Sequence, residues 1–128
     1  MANEAVPLYR PGADLPCVTT ATVTGKTFVN VSATRPVAGL VQVAPAAAGV
    51  AALGVAKYDA THVSGGTPVG VITGPGTIVF VTAGATVAFG AEVEVGTGGK
   101  AITLASGKAV GKALEDGTNN NDLLIRLY

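Results

Sequence analysis

The residues that could carry out chemistry are few, and their spacing does not assemble a reactive centre. His62 is the single histidine, shortly after Asp59, and Cys17 is the single cysteine. An Asp/His pair could form there, yet a histidine in a polar loop is more simply solvated. A metal site needs three or four ligands. A nucleophile pair would need Cys17 and His62 to meet in space, although Cys17 falls in an N-terminal segment of different character.

Paired carboxylates and glycine-rich turns are no stronger signals. Glu92 and Glu94 share one face of a predicted strand, where they form its solvated side, whereas a glycosidase pair would face across a cleft. The glycines at 65–66 and 96–99 precede no predicted helix and lack the Gly-Lys-Ser/Thr ending of a phosphate loop, so they indicate turns. We therefore predict no catalytic residue, metal ligand or cofactor, and a chain that is not an enzyme.

Composition excludes some partners and predicts others. Charged residues make up 12% of the 128 residues and the formal net charge is zero, which argues against nucleic acid as a partner. Residues 36–56 and 63–91 carry no charge, but glycine and proline interrupt both, so we predict no membrane span. Monomers rarely leave large apolar patches open. A chain this rich in alanine and valine is therefore expected to form an oligomer or to dock on a partner.

The start of the chain lacks a basic region followed by an apolar core, so no signal peptide is expected. The single cysteine excludes a disulfide within the chain and fits synthesis in a reducing compartment.

Eighteen glycines and seven prolines predict an all-β domain of short strands separated by turns. The stretch at 77–95 (TIVFVTAGATVAFGAEVEV) looks central, because its apolar run and its Glu-Val alternation suit two strands. Gly74-Pro75-Gly76 predicts a hairpin between strands at 69–73 and 78–81. The last strand, 123–128, places Leu123, Ile125 and Leu127 on one face. Further strands are predicted at 25–31, 40–43, 50–58, 100–104 and 108–114, with one helical turn at 45–49.

A short stretch of the sequence occurs twice. The segment at 54–61 (GVAKYDAT) and that at 111–118 (GKALEDGT) keep glycine, alanine, aspartate and threonine at the same offsets. Upstream of each lies a strand, a glycine turn and a second strand. Two related β units facing each other would explain this echo, although a chain rich in small residues could also produce it by chance.

Residues 1–24 differ from the rest and predict an extended arm before a compact β domain at 25–128. Pro7, Pro11 and Pro16 each fix their own φ and extend the preceding residue. Leu8, Tyr9 and Leu15 provide apolar anchors on this stiffened backbone. Either a frayed terminus or a docking arm is consistent with the pattern.

Several segments, taken in order, resemble the capsid cement, or head decoration, proteins of tailed bacteriophages. The resemblance runs over nearly the whole chain, although each motif alone is a simple Gly/Ala/Val turn. The motifs are residues 3–12 (NEAVPLYRPG), 54–56 followed by Asp59, 84–85, 89–93 (FGAEV) and 109–114 (AVGKAL) before a terminal strand.

The resemblance implies a β-barrel or β-tulip-like domain that forms homotrimers on the outside of the phage head. There, at three-fold and quasi-three-fold positions, it would clamp the major capsid protein, with Leu8, Tyr9, Arg10 and Leu15 as arm contacts. Synthesis would take place in the bacterial cytoplasm. The alternatives are another β-rich virion module, such as a tail or fibre component or a carbohydrate-binding domain, and a small hydrolase.

Overall fold

The structure, a computed structural model, describes residues 14–128 and is all-β, which confirms the predicted fold class. Ten short strands and one three-residue 3-10 turn, η1, account for the regular structure of this part of the chain. The elements are β1 (Leu15–Thr19), β2 (Phe28–Ala33), β3 (Val41–Pro45), β4 (Gly54–Ala56), β5 (Pro68–Ile72), β6 (Ile78–Thr82), β7 (Glu92–Val95), η1 (Thr97–Gly99), β8 (Ala101–Thr103), β9 (Gly111–Ala113) and β10 (Asp122–Leu127).

The first unit, residues 14–73, is a closed barrel with the strand order β1-β3-β2-β4-β5. β1 closes it, because β1 pairs in parallel with β3 and antiparallel with β5. Alternate residues of these strands point inward, as a period of two requires. The inward set forms one buried cluster: Cys17, Val23, Val29, Val43, Ala56, Ala60, Val69 and Val71.

The second unit, residues 78–128, repeats the same pairing with the order β6-β10-β9-β7-β8. Each strand of the first unit has a counterpart in the second, and the counterparts pair with their neighbours in the same register. For example, Val29 pairs with Gly54 in the first unit, and Val93 pairs with Gly111 in the second. Likewise Cys17 pairs with Val69 and Val81 with Leu123. The chain is therefore a tandem duplication of one five-stranded unit.

This duplication confirms the internal echo and explains which residues it contains. Asp59 and Asp116 make equivalent hydrogen bonds. The Asp59 carboxylate accepts the backbone N–H of Gly25 at 2.8 Å, and the Asp116 carboxylate accepts that of Phe89 at 2.9 Å. Gly54 approaches β5 so closely that a Cβ would collide with the carbonyl of Ile72, and a Cβ on Gly111 would collide with that of Arg126. The small and acidic residues of the echo are thus required by the turn and by the close strand contact.

The two units are joined through the outer face of the first. Phe28, Val55 and Ala46 point away from the first barrel and belong to the buried core of the second unit. Ile72 packs against the same core. Phe28 is 1% exposed and is the largest fully buried side chain in the described part of the chain.

The second barrel is opened at one seam to receive this contact. In the first barrel three residues of β1 pair with β3, whereas at the equivalent seam Ala83 pairs with Ala101 in an isolated bridge. The N–H of Thr82 donates instead to the carbonyl of Lys26 at 2.8 Å. Gly99, with a φ of 77°, lies against the backbone of Phe28, where a Cβ would not fit. The segment leading into β2 therefore lies where the second barrel would otherwise close.

Several sequence predictions need correction. The hairpin at Gly74-Pro75-Gly76 is wrong, because β5 belongs to the first unit and β6 to the second. A Gly-Pro-Gly turn reverses the chain equally well between units as between paired strands. The stretch 77–95 is not central, since β6 ends the strand order of its sheet. The strand predicted at 50–58 is limited to β4, and the helical turn at 45–49 is absent, because Pro45 ends β3 and Gly49 has a φ of 76°.

The predicted boundary between arm and domain also changes. Residues 1–13 lie outside the described part of the chain, but Leu15–Thr19 forms β1 and Val23 pairs with Ala60 in an isolated bridge. Residues 15–24 therefore belong to the barrel and not to an arm. The prolines were misleading because the extended backbone that proline favours also suits a strand. The last strand, by contrast, is confirmed, with Leu123, Ile125 and Leu127 all buried.

Glu94 contradicts the prediction that both glutamates of β7 are solvated. Glu92 is exposed, but Glu94 is 5% exposed, and its carboxylate accepts backbone N–H bonds from Ala105 at 3.3 Å and Gly107 at 2.5 Å. A Cβ on Gly107 would collide with this carboxylate and with Gly49 of the first unit. The loop after β8 thus covers the outer face of β7, which a period-two pattern cannot reveal.

The duplication predicts which substitution Cys17 tolerates. Val81 occupies the equivalent place in the second unit, so Cys17→Val should stay within about 1 kcal/mol of the parent in free energy of unfolding. Cys17→Ser should lose about 1–3 kcal/mol, because it buries a more polar hydroxyl. Urea denaturation measures both changes, with Val81→Cys as the reciprocal control. A loss above about 3 kcal/mol for Cys17→Val would contradict the equivalence of the two cores.

The same residue predicts a pH dependence. Burial raises the pKa of the Cys17 thiol from its usual 9.0 to about 11. The folded state therefore keeps the thiol proton while the unfolded state loses it, so stability falls as the pH rises from about 9 to about 11. We expect the parent to lose more stability than Cys17→Val between pH 8 and pH 11 in urea titrations. Equal losses in the two proteins would contradict this assignment.

A third prediction concerns the junction between units. Phe28→Ala should lower the free energy of unfolding by about 3–5 kcal/mol, because it leaves a cavity in the core that both units share. Hydrogen exchange should accelerate at β6, β7 and β10, although the mutated residue belongs to the first unit. Val69→Ala, in the separate first core, is the matched control and should accelerate exchange mainly in the first unit. Faster exchange confined to the first unit in Phe28→Ala would refute this view of the junction.

Candidate interaction surfaces

The predicted contact residues fall in two groups. Leu8, Tyr9 and Arg10 lie outside the described residues, so their prediction stays open. Leu15 is placed in β1, opposite Val71, and packs half-buried against the first core. Leu15 thus secures the point where residues 1–13 join the barrel. The predicted contact of Leu15 with a capsid stays a prediction.

A groove lies beside this junction, over β1, β5 and the segment that follows β4. It has a volume of about 400 Å³. Pro16 and Gly70 pair across its floor, and Tyr58 accepts the N–H of Gly70 at 3.2 Å through its hydroxyl. We call this surface the groove; its lining is Asp14, Pro16, Cys17, Leu40, Lys57, Tyr58, Pro68, Val69 and Gly70.

An ion pair spans one side of the groove. The Lys57 ammonium lies 2.6 Å from the Asp14 carboxylate, and this hydrogen bond, together with the charge of Asp14, raises the pKa of Lys57. The stem of Lys57 lies close over Gly70, where a Cβ would be 3.1 Å from it, so a side chain there would displace the stem. Both ionic groups are about half exposed, so the pair adds little stability but places one charge of each sign at the groove.

The equivalent face of the second unit protrudes where the first unit has its groove. Phe80 pairs with Leu124, and the N–H of Leu114 donates to the carbonyl of Leu124. These three side chains form an apolar row across β6, β10 and β9, with Phe80 47% exposed and Leu114 43% exposed. We call this row, Phe80, Leu124 and Leu114, the ridge.

One pattern in the sequence indicates the ridge. The run at 78–81 (IVFV) is apolar at every position, so a strand there must place apolar side chains on both faces. Val79 and Val81 point into the core, while Ile78 and Phe80 point outward and are exposed. A strand with two apolar faces in a small domain indicates a surface that contacts something else.

The residues considered for catalysis do not form a site. Cys17 is buried, its thiol donates to the carbonyl of Leu15, and its raised pKa is the opposite of what a nucleophilic thiol requires. His62 Nδ1 lies 2.9 Å from the Thr19 hydroxyl, which also accepts the N–H of Thr67. The histidine thus contributes to a loop contact.

Residues 14–128 also contain neither a metal-ligand cluster nor a membrane-spanning helix. No group of three or more metal-ligating side chains lies together there. None of the helical segments in that range has the length and apolar character needed to cross a membrane.

The sequence matches no protein-family model and no curated protein. Its fold, however, is similar to a solved structure, the N base of the head fibre protein gp8.5 of bacteriophage phi29. The two align with a TM-score of 0.75 at 17% sequence identity, over 91% of this chain and 93% of the other. Because the alignment covers both chains almost completely, the whole two-unit architecture described above is a fold that also occurs in a phage head fibre base.

Proposed function

We propose that this chain is a structural protein of a phage head. The observation that carries the proposal is the likeness in fold to the phi29 head fibre base over nearly the whole of both chains. The motifs that resemble head decoration proteins support it independently, since they come from the sequence and the fold comparison does not depend on them. The exposed ridge supports a role in assembly, because an isolated protein gains nothing from an open apolar row.

In its specific form the proposal is capsid decoration. Homotrimers would sit on the outer surface of the head, at three-fold and quasi-three-fold positions, and would stabilise the lattice of the major capsid protein. Such binding gains from multiplicity, because once one contact of a trimer forms the others become effectively intramolecular. This role requires no catalysis, cofactor, nucleic acid or membrane.

The proposed capsid contact is the segment before β1, with Leu8, Tyr9 and Arg10. It joins the barrel beside the groove, where Leu15 is held by the first core and Asp14 by Lys57. A segment fixed at its base loses less conformational freedom on docking than one attached through a loose linker.

The experiment that tests decoration mixes the purified protein with undecorated heads. We expect saturable, stoichiometric binding and heads that resist heat or chaotropes better than bare heads. Unrelated phage heads of similar size serve as the control for non-specific adhesion. Absence of binding to every matching head preparation would refute a head-associated role.

A fibre base is the second candidate, favoured by the identity of the protein that shares the fold. A base that anchors a fibre needs to attach to the head but does not need to strengthen it. Binding without any gain in head resistance would therefore favour this candidate over a cement function. A carbohydrate-binding role would instead be indicated by saturable binding on a glycan array.

Removing residues 2–13 should separate attachment from folding. We expect the thermal melting of the shortened protein to match that of the parent, because β1 begins at Leu15. Its affinity for heads should fall at least about tenfold, which corresponds to about 1.4 kcal/mol. The double variant Leu8→Ala, Tyr9→Ala, at full length, distinguishes lost side-chain contacts from lost backbone. Unchanged binding by the shortened protein would exclude the segment as a capsid contact.

A further inference from the structure

We propose that copies of this chain associate head to tail, with the ridge of one copy seated in the groove of the next. The ridge and the groove lie on equivalent faces of the two duplicated units. One chain therefore carries both halves of a contact, and each copy can give its ridge to one neighbour and its groove to another.

The two surfaces are complementary in shape because of substitutions at equivalent positions. Where the second unit has Leu124, the first has Gly70, and where the second has Phe80, the first has Pro16. At the third position Leu114 is replaced by Lys57, whose stem lies over Gly70. The backbones match, while Pro16 and Gly70 are smaller than Phe80 and Leu124, so the floor of the groove is recessed where the ridge protrudes. The Lys57 stem and the Tyr58 ring border this recess.

Charge is complementary as well. The groove has the Asp14 carboxylate and the Lys57 ammonium, both about half exposed. The ridge has the exposed Arg126 guanidinium on one side, next to Ile78, and on the other the Glu115 carboxylate, which accepts the N–H of Leu124 at 3.3 Å. Either charge of the groove's ion pair can meet an opposite charge of a neighbour's ridge, Arg126 against Asp14 or Glu115 against Lys57.

The groove is also continuous with an interface that already exists. Gly70 on β5 and Lys57, just after β4, lie next to Ile72 and Val55, which pack against the second core. A ridge placed in the groove would extend this buried apolar surface. A copy that docked ridge to ridge would leave its groove open.

A head-to-tail contact between different patches closes into a ring when its rotation allows, and a ring hides every ridge and every groove. The number of copies, three, rests on the proposed function, whereas the contact itself does not. Its test therefore uses the isolated full chain without capsids, so that failure of this interface and failure of capsid binding give different results.

The experiment uses one variant on each surface. Phe80→Arg places a charge on the ridge, and Leu114→Arg, at the other end of the row, is a second ridge variant should the first fail to fold. Gly70→Leu fills the groove with the residue that the second unit has at this position; the φ of Gly70 is not positive, so its backbone accepts a side chain. Phe89→Arg, at a site 73% exposed and outside both surfaces, is the matched control.

Sedimentation of folded proteins gives the readout. We expect the parent and Phe89→Arg to form the ring, and Phe80→Arg and Gly70→Leu to sediment as monomers when each is alone. Mixed in equal amounts, the two variants should form dimers, because one intact ridge then meets one intact groove but no ring can close. A monomeric parent, unchanged assembly in the single variants, or a mixture that stays monomeric would each overturn the proposal.

Discussion

The burial of one aromatic side chain in the neighbouring unit holds this molecule together. Phe28 leaves the first barrel on the outer face of β2 and completes the core of the second unit. Neither unit alone has the size at which a hydrophobic core is readily sufficient, since chains of fewer than about 60 residues are marginal. Sharing a core turns two marginal units into one domain. The open seam of the second barrel, where Thr82 donates to Lys26, is the structural consequence.

The face of the second unit that is equivalent to the junction differs from it in chemistry. The first unit presents Phe28, Val55 and Ile72 to its neighbour, and the equivalent positions of the second unit are Glu92, Lys112 and Arg126. Glu92 and Lys112 are paired across strands, and the Tyr128 hydroxyl donates to Glu92 at 2.8 Å. That bond, with the neighbouring carboxylate charge, raises the pKa of Tyr128. A charged, hydrogen-bonded face has no apolar surface to share, so it cannot form a junction of the kind that Phe28 makes.

The two units have diverged mainly on their outer surfaces, while their strand pairing stayed the same. Inward positions keep small and medium apolar residues in both, as with Cys17 and Val81 or Ala56 and Ala113. Outward positions differ in the size of their side chains, as with Gly70 in the first unit and Leu124 in the second. Such a division would suit the proposed head-to-tail contact, because a constant backbone then presents different contact surfaces on the two units.

The sequence alone determined the class of the fold, because glycine-punctuated β-branched runs support short strands and little helix. It also determined the last strand and the duplicated segment, since alternation and the spacing of small residues are local properties. Only the tertiary structure decided which strands pair: Gly74-Pro75-Gly76 has the chemistry of a hairpin, yet β5 and β6 belong to different sheets.

Which side of a strand is covered was equally invisible in the sequence. Glu94 alternates with valines like a solvated residue, but a loop that Gly107 allows to approach covers it. Phe80 reads as a core residue, yet it is exposed because only one face of β6 meets a core. Which side of a strand is covered depends on residues distant in the chain, and periodicity within a strand contains no information about them.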